Sequence, residues 1–136
     1  MSLGRTLGVA VIAAMVLSGC VSTPPAEEYC VPRVTISPVE VRPGDTITVT
    51  VESGCDVPMP AGGWVVIAGP VGQLDLAVRT VTEAELVNGF AVTVELPADF
   101  PGSEGFAGLD YWDYSGCPDN ASCASPVASF RVAQSP

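Results

Sequence analysis

The sequence contains no histidine, and this absence removes much of the usual catalytic repertoire. Without an imidazole there is no Ser-His-Asp or Cys-His arrangement for nucleophilic catalysis, and no histidine ligand for a catalytic zinc. No glycine-rich loop follows a strand and opens a helix, as a phosphate-binding loop would; the glycines fall instead at turns. These absences favour a protein that is not an enzyme and that needs no cofactor.

Lysine is also absent, so the five basic residues are all arginine. They stand against fifteen acidic residues, and the formal net charge is −10. A surface of this sign repels phosphate backbones, which argues against nucleic acid as a partner. It repels anionic lipid head groups as well, so any attachment of this protein to a membrane would have to come from something other than charge.

The N-terminal segment has the three parts of an export signal. Arg5 is the only charged side chain before an apolar run at residues 7–17, and small residues follow before Cys20. The run is far shorter than the roughly 20 apolar residues of a membrane-spanning helix. Its order of charge, apolar core and small residues is typical of a secretory signal peptide. An ordinary signal peptide, in which Cys20 is incidental, is the alternative.

The block Leu17-Ser18-Gly19-Cys20 resembles the lipobox of bacterial lipoprotein precursors. The resemblance implies that residues 1–19 are cleaved and that Cys20 carries acyl groups, which hold a protein stably when two or more are present. Residues 20–29 would then be a lipidated tether, and residues 30–136 a single domain. The implied location is the cell envelope, at the outer face of the bacterial cytoplasmic membrane.

Short alternating segments dominate the chain after the tether. Ile47, Val49 and Val51 alternate with polar residues, which predicts a half-buried strand, and the preceding Pro43-Gly44 pair favours a type II turn. Further strands are predicted at 34–41, 64–68, 74–79, 90–96, 106–114 and 127–133. A single helical turn is predicted at 82–86, capped by Thr82.

About seven short strands with frequent turns indicate an all-β sandwich. The segments 34–38, 42–45 and 47–51, with Trp64 where such folds bury a tryptophan, resemble the immunoglobulin-like or fibronectin-like modules of bacterial envelope proteins. The resemblance implies an immunoglobulin-like sandwich of about seven antiparallel strands. A small closed β-barrel is the alternative.

Four cysteines follow Cys20, and an even set in an exported domain predicts two disulfides. Their spacing does not fit a zinc site. We predict bonds between Cys30 and Cys55, across a hairpin, and between Cys117 and Cys123, around a short loop. The alternative, Cys55 with Cys117, resembles the inter-sheet bridge of immunoglobulin domains.

In an up-and-down order of strands, all four of these cysteines lie at one pole of the sandwich. The loops 53–63, 80–89 and 115–126 lie at the same pole and are the longest in the domain. Long loops are either tied down by crosslinks or used in function. This pole is therefore the first place to look for a site.

Residues 110–114 are the chemically richest segment, and they contain Asp110, Trp112, Asp113 and Tyr114 as candidate ligand contacts. Aromatic faces beside carboxylates suit a sugar or a protein partner. In a strand, however, Asp110, Trp112 and Tyr114 share one face, so one aromatic set is expected to be core.

Asp110, Asp113, Asp119 and Asn120 could offer oxygen ligands to calcium. No EF-hand pattern is present, and we predict no metal site.

We therefore expect a non-catalytic binding or accessory module for a protein or an envelope polymer, attached to the membrane through lipid on Cys20. A structural or antigenic surface protein without a defined ligand is one alternative. A small hydrolase using paired carboxylates is another, although a domain of this size offers little cleft for a substrate.

Overall fold

The computed structural model describes Gly19 and residues 29–52 and 54–134. The predictions for the signal peptide, for Cys20 and for residues 21–28 lie outside the described residues. Eight strands lie within these described ranges and are numbered along the chain: β1 Val34–Ser37, β2 Glu40–Val41, β3 Thr46–Val51, β4 Trp64–Pro70, β5 Val78–Thr82, β6 Phe90–Glu95, β7 Glu104–Leu109 and β8 Val127–Val132.

Among the described residues, none belongs to a helix of the length and apolarity that a membrane crossing requires.

The strands form two sheets, with the orders β1-β3-β6 and β2-β8-β7-β4-β5. The predicted all-β sandwich is confirmed, and the closed-barrel alternative is wrong because the described strands remain in two separate sheets. One detail of the prediction is also wrong: β2 pairs with β8 in parallel, whereas the other pairs are antiparallel. Pro38, which has no N–H for a ladder, separates β1 from β2, and the chain changes sheets there.

The core lies between the sheets and follows the alternation in the sequence. Ile47, Val49 and Val51 of β3 are buried, while the threonines between them are not. Across the core, the larger sheet contributes Trp64 from β4 and Phe130 from β8. Both sheets thus bury one apolar face, which is the main source of stability for a sandwich.

Two local predictions are wrong. Residues 74–76 form a 3-10 turn instead of a strand, with Leu74 61% exposed; the backbone N–H of Ala77 donates to the carbonyl of Leu74 and closes that turn. Thr82 ends β5 instead of capping a helical turn, and its hydroxyl accepts from the Ala84 N–H at 3.3 Å. A short 3-10 turn follows later, at Leu86–Asn88, where Leu86 is buried.

The predicted disulfides are both present. Cys30 bonds Cys55 and Cys117 bonds Cys123, with Cα–Cα distances of 5.7 and 6.1 Å; the Cys55–Cys117 alternative is wrong. The first bond follows from strand register, because β1 and β3 are antiparallel with Val34 opposite Val51. The residues before Val34 and after Val51 are thereby brought together.

The two disulfides are expected to differ in their effect on stability. Replacing both Cys30 and Cys55 with Ala releases a separation of 25 residues, and chain entropy predicts a loss of roughly 3.5 kcal/mol. The same change at Cys117 and Cys123 releases a separation of 6 residues, for a loss of roughly 2 kcal/mol. Urea denaturation of the two double variants measures the difference, and an equal or reversed order would contradict this account.

Candidate binding groove

The three long loops meet at one pole, as the topology predicts. Residues 57, 58 and 60 and residues 111–113, 115 and 116 line a common groove together with Tyr29 and Cys30, and residues 85–87 line a smaller hollow together with residues 56–59. The continuously described part of the chain begins at this pole, with Tyr29 and Cys30. The long loops, the cysteines and the start of the domain therefore share one end of the sandwich.

The chain leaves β7 after Leu109, and the segment that follows is irregular. The Asp110 carboxylate accepts a hydrogen bond from the Tyr111 N–H at 3.0 Å and pairs with Arg79 Nε at 2.7 Å. Tyr111 has a φ of 55°, in the left-handed region, which is incompatible with a continuing strand. The expectation that Asp110, Trp112 and Tyr114 share a strand face is therefore wrong.

This turn directs the chain so that the Trp112 side chain is buried in the domain. Its ring stacks on Trp64 at a centroid distance of 5.9 Å and an interplanar angle of 25°, and the residue is 8% exposed. Its indole Nε1 donates to the Tyr29 hydroxyl at 2.7 Å, and that hydroxyl donates to the Asp113 carbonyl at 2.7 Å. Three distant parts of the chain are thus joined at the pole.

We name the concavity beside this cluster the aromatic groove. It has a volume of about 600 Å³, within the range of small-ligand and peptide-anchor sites. Its walls come from Tyr29, Pro58, Pro60, Trp64 and residues 111–113, 115 and 116. Tyr111 stands at the rim with 76% of its surface exposed, so the groove combines a buried aromatic floor with an accessible aromatic edge.

The aromatic groove also contains an unsatisfied donor. Nε1 of Trp64 is buried without a hydrogen-bond partner, and it is the one buried side-chain polar atom in that state within the part of the chain that the structure describes. A buried donor without an acceptor costs about 1–3 kcal/mol. Such groups in native domains call for an explanation, and this one belongs to a residue lining the groove.

The charges around the groove are mainly negative, although Arg33 precedes β1 at this pole and Arg79 pairs with Asp110. The backbone N–H of Ser115 donates to the Asp113 carboxylate at 2.9 Å, and this bond, with help from the Ser115 hydroxyl, holds the pKa of Asp113 below its ordinary value. Asp113 is therefore ionised at neutral pH. The loops 52–63, 83–89 and 110–126 contain seven Asp or Glu residues and no Arg or Lys.

Of the four residues predicted as ligand contacts, two line the aromatic groove and two do not. Trp112 and Asp113 line the aromatic groove, whereas Asp110 and Tyr114 do not. Asp110 is held by Arg79, and the Tyr114 hydroxyl donates to Ser125 Oγ at 2.7 Å.

Sequence reasoning missed three aromatic residues of the lining. Tyr29 was predicted to belong to the tether, Trp64 to the core, and Tyr111 to the strand face opposite Trp112. The available signal was an aromatic residue directly before a disulfide cysteine, at Tyr29-Cys30.

Other candidate sites contain fewer of the features expected of a binding site. No group of three His, Cys, Asp or Glu side chains is placed to hold a metal ion anywhere in the described ranges, which includes the calcium alternative at Asp110, Asp113 and Asp119. A depression of about 750 Å³ lies at residues 39–40, 103–104 and 129–131 and contains none of the predicted contacts. The aromatic groove is thus the main candidate.

The chain matches no protein-family model, and comparisons with curated proteins and with solved structures gave no significant match.

The Tyr29 hydroxyl is expected to stabilise the groove. Tyr29→Phe removes both bonds of the hydroxyl and leaves the part-buried Trp112 Nε1 without its acceptor, and we expect a loss of about 1–3 kcal/mol in the free energy of unfolding. Urea denaturation followed by tryptophan fluorescence measures it. Tyr114→Phe is the matched control, because it removes a hydrogen bond between exposed groups and is expected to cost less than about 0.5 kcal/mol. Equal losses for both variants would contradict the assignment.

Proposed function

We propose that this protein is a lipid-anchored envelope protein whose domain binds a protein or an envelope polymer, without catalysis, through the aromatic groove. The observation that carries the proposal is the groove itself, with both tryptophans of the chain in its lining and the unpartnered Nε1 of Trp64 among them. Buried aromatic anchors beside an exposed aromatic rim are the features that concentrate binding energy at protein surfaces.

The groove is also held in place before any ligand arrives. The Cys30–Cys55 bond fixes one wall, and the hydrogen bonds of the Tyr29 hydroxyl fix Trp112 and Asp113. A site that is ordered in advance loses less conformational entropy on binding. Such fixation favours recognition by shape at this pole.

The proposed anchor is Cys20, in the lipobox-like block Leu17-Ser18-Gly19-Cys20. A tether from Cys20 to Cys30, extended at about 3.3 Å per residue, reaches roughly 33 Å. Because the described domain begins at the pole of the groove, a lipid on Cys20 would make that pole face the membrane unless the tether folds back. The location proposed is the outer face of the bacterial cytoplasmic membrane.

We also propose that the sandwich is immunoglobulin-like. The support is the strand order, in which β1-β3-β6 opposes β8-β7-β4 as strands A, B and E oppose G, F and C in that fold, although β5 lies beside β4 and not beside β6. The buried Trp64 on β4 is a second similarity. The disulfides differ from the fold's inter-sheet bridge, since Cys30–Cys55 joins residues flanking two neighbouring strands of one sheet.

The hydrolase alternative has less support than binding. A carboxylate pair in a glycosidase needs one acid with a raised pKa. Asp113 has a lowered pKa because of Ser115, and Asp110 is paired with Arg79. A structural or antigenic protein without a ligand remains the competing hypothesis, and the crosslinking experiment below separates it from binding.

The anchor is tested by Cys20→Ala. Because two or more acyl chains hold a protein on a bilayer and this chain's acidic charge does not, we expect the variant to move from the membrane fraction to the soluble fraction. Metabolic labelling with a clickable fatty acid is expected to label the wild type and not the variant. Membrane retention of a correctly cleaved, unlabelled variant would overturn the anchor.

The binding role is tested by site-specific photo-crosslinking in intact envelopes. A benzophenone amino acid replaces Tyr111, at the rim of the groove, or Leu74, which is 61% exposed on a turn at the opposite pole. We expect discrete adducts from position 111 that are missing from position 74. No adduct at position 111, or the same adducts at both positions, would favour the structural or antigenic hypothesis.

A further inference from the structure

The hydrogen-bonding groups of the aromatic groove are unevenly used. The Tyr29 hydroxyl both donates and accepts within the protein, and the Asp113 carboxylate already accepts from Ser115. Trp64 Nε1 has no acceptor. Of the two tryptophans in the groove, Trp64 is the one whose indole N–H is unused, and a ligand that engages it must bring an acceptor.

This pattern discriminates between ligand classes. A sugar brings many hydroxyl donors, each of which needs an acceptor when it is buried. A proline-containing peptide brings carbonyl acceptors and lacks the N–H at each proline. Its extended left-handed conformation is formed before binding and docks onto aromatic-lined grooves. The mainly apolar lining and the unused N–H of Trp64 therefore suit a proline ring and a peptide carbonyl better than the many hydroxyls of a sugar.

The charge of the pole sets a second, independent condition on the ligand. Asp113 in the groove is ionised, Asp56 lies beside the groove wall at Val57, and the three loops of this pole carry no basic residue. Opposite charge on a ligand speeds encounter and excludes anionic competitors. The complementary peptide is therefore cationic.

We propose that the ligand of the aromatic groove is an extended, cationic, proline-containing segment of another protein. This inference rests on the proposed binding role of the groove and names its ligand class. A proline ring packs against Tyr111 and the tryptophan pair, and a peptide carbonyl accepts from Trp64 Nε1. Because that N–H is shielded in the free protein, its engagement changes the surroundings of Trp64, and the tryptophan emission changes.

The test uses the full chain, purified in detergent, and a synthetic peptide of three Arg-Pro-Pro repeats. Tryptophan fluorescence and calorimetry measure binding, and two matched peptides carry Ala in place of every Pro or Glu in place of every Arg. We expect each replacement, and Tyr111→Ala in the protein, to weaken binding by about tenfold or more. Tyr114→Ala, also at an exposed tyrosine but outside the groove, is expected to leave binding unchanged. Raising the salt concentration is expected to weaken binding.

Trp64→Phe tests the N–H, because it keeps an aromatic ring and removes the donor. We expect weaker binding of the proline peptide with native-like circular dichroism. Equal binding of the alanine peptide, or no binding of any peptide, would overturn the inference. If a chitin tetrasaccharide binds instead, in a manner that depends on Tyr111, the ligand class is wrong and the binding role stands. If neither probe binds and position 111 gives no photo-adduct, both proposals fail.

Discussion

The contact between Trp64 and Trp112 is the interaction on which the functional pole depends. Trp64 begins β4, and its position is set by Gly63, where a Cβ would lie 2.6 Å from the Thr82 carbonyl oxygen and where φ is +91°. Trp112 reaches it only because the chain turns at Tyr111. Tyr29 then bonds the Trp112 indole. One aromatic pair thus connects a core strand, a long loop and the start of the domain.

The fold was predictable where one face of a strand is buried and the other is exposed to solvent. The alternation in β3 and β6 decides which side chains enter the core, and strand register then places Cys30 opposite Cys55. Prediction failed where the pattern alternates but local hydrogen bonds are stronger. At residues 74–76 the backbone closes a 3-10 turn. After Leu109, the carboxylate of Asp110 binds the next backbone N–H and ends the strand.

The site was only partly predictable, because its contacting residues lie far apart in the sequence. Trp112 and Asp113 stood out by residue type, but the partner of both is Tyr29, which is 83 and 84 residues away. A single sequence carries no signal for such a pair. Composition excluded classes of chemistry, through the missing histidine and the acidic charge, whereas the groove arises from tertiary packing that no local pattern encodes.

The acidic loops of the pole bear on both the proposed anchor and the proposed ligand. If lipid on Cys20 turns this pole toward the membrane, its acidic loops are repelled by anionic head groups within about a Debye length, some 8–10 Å. That repulsion favours an extended tether and leaves a gap in front of the aromatic groove. Cationic peptide segments are enriched in the same layer by the opposite attraction. On this proposal, the charges that would hold the domain off the bilayer would also concentrate the proposed ligand.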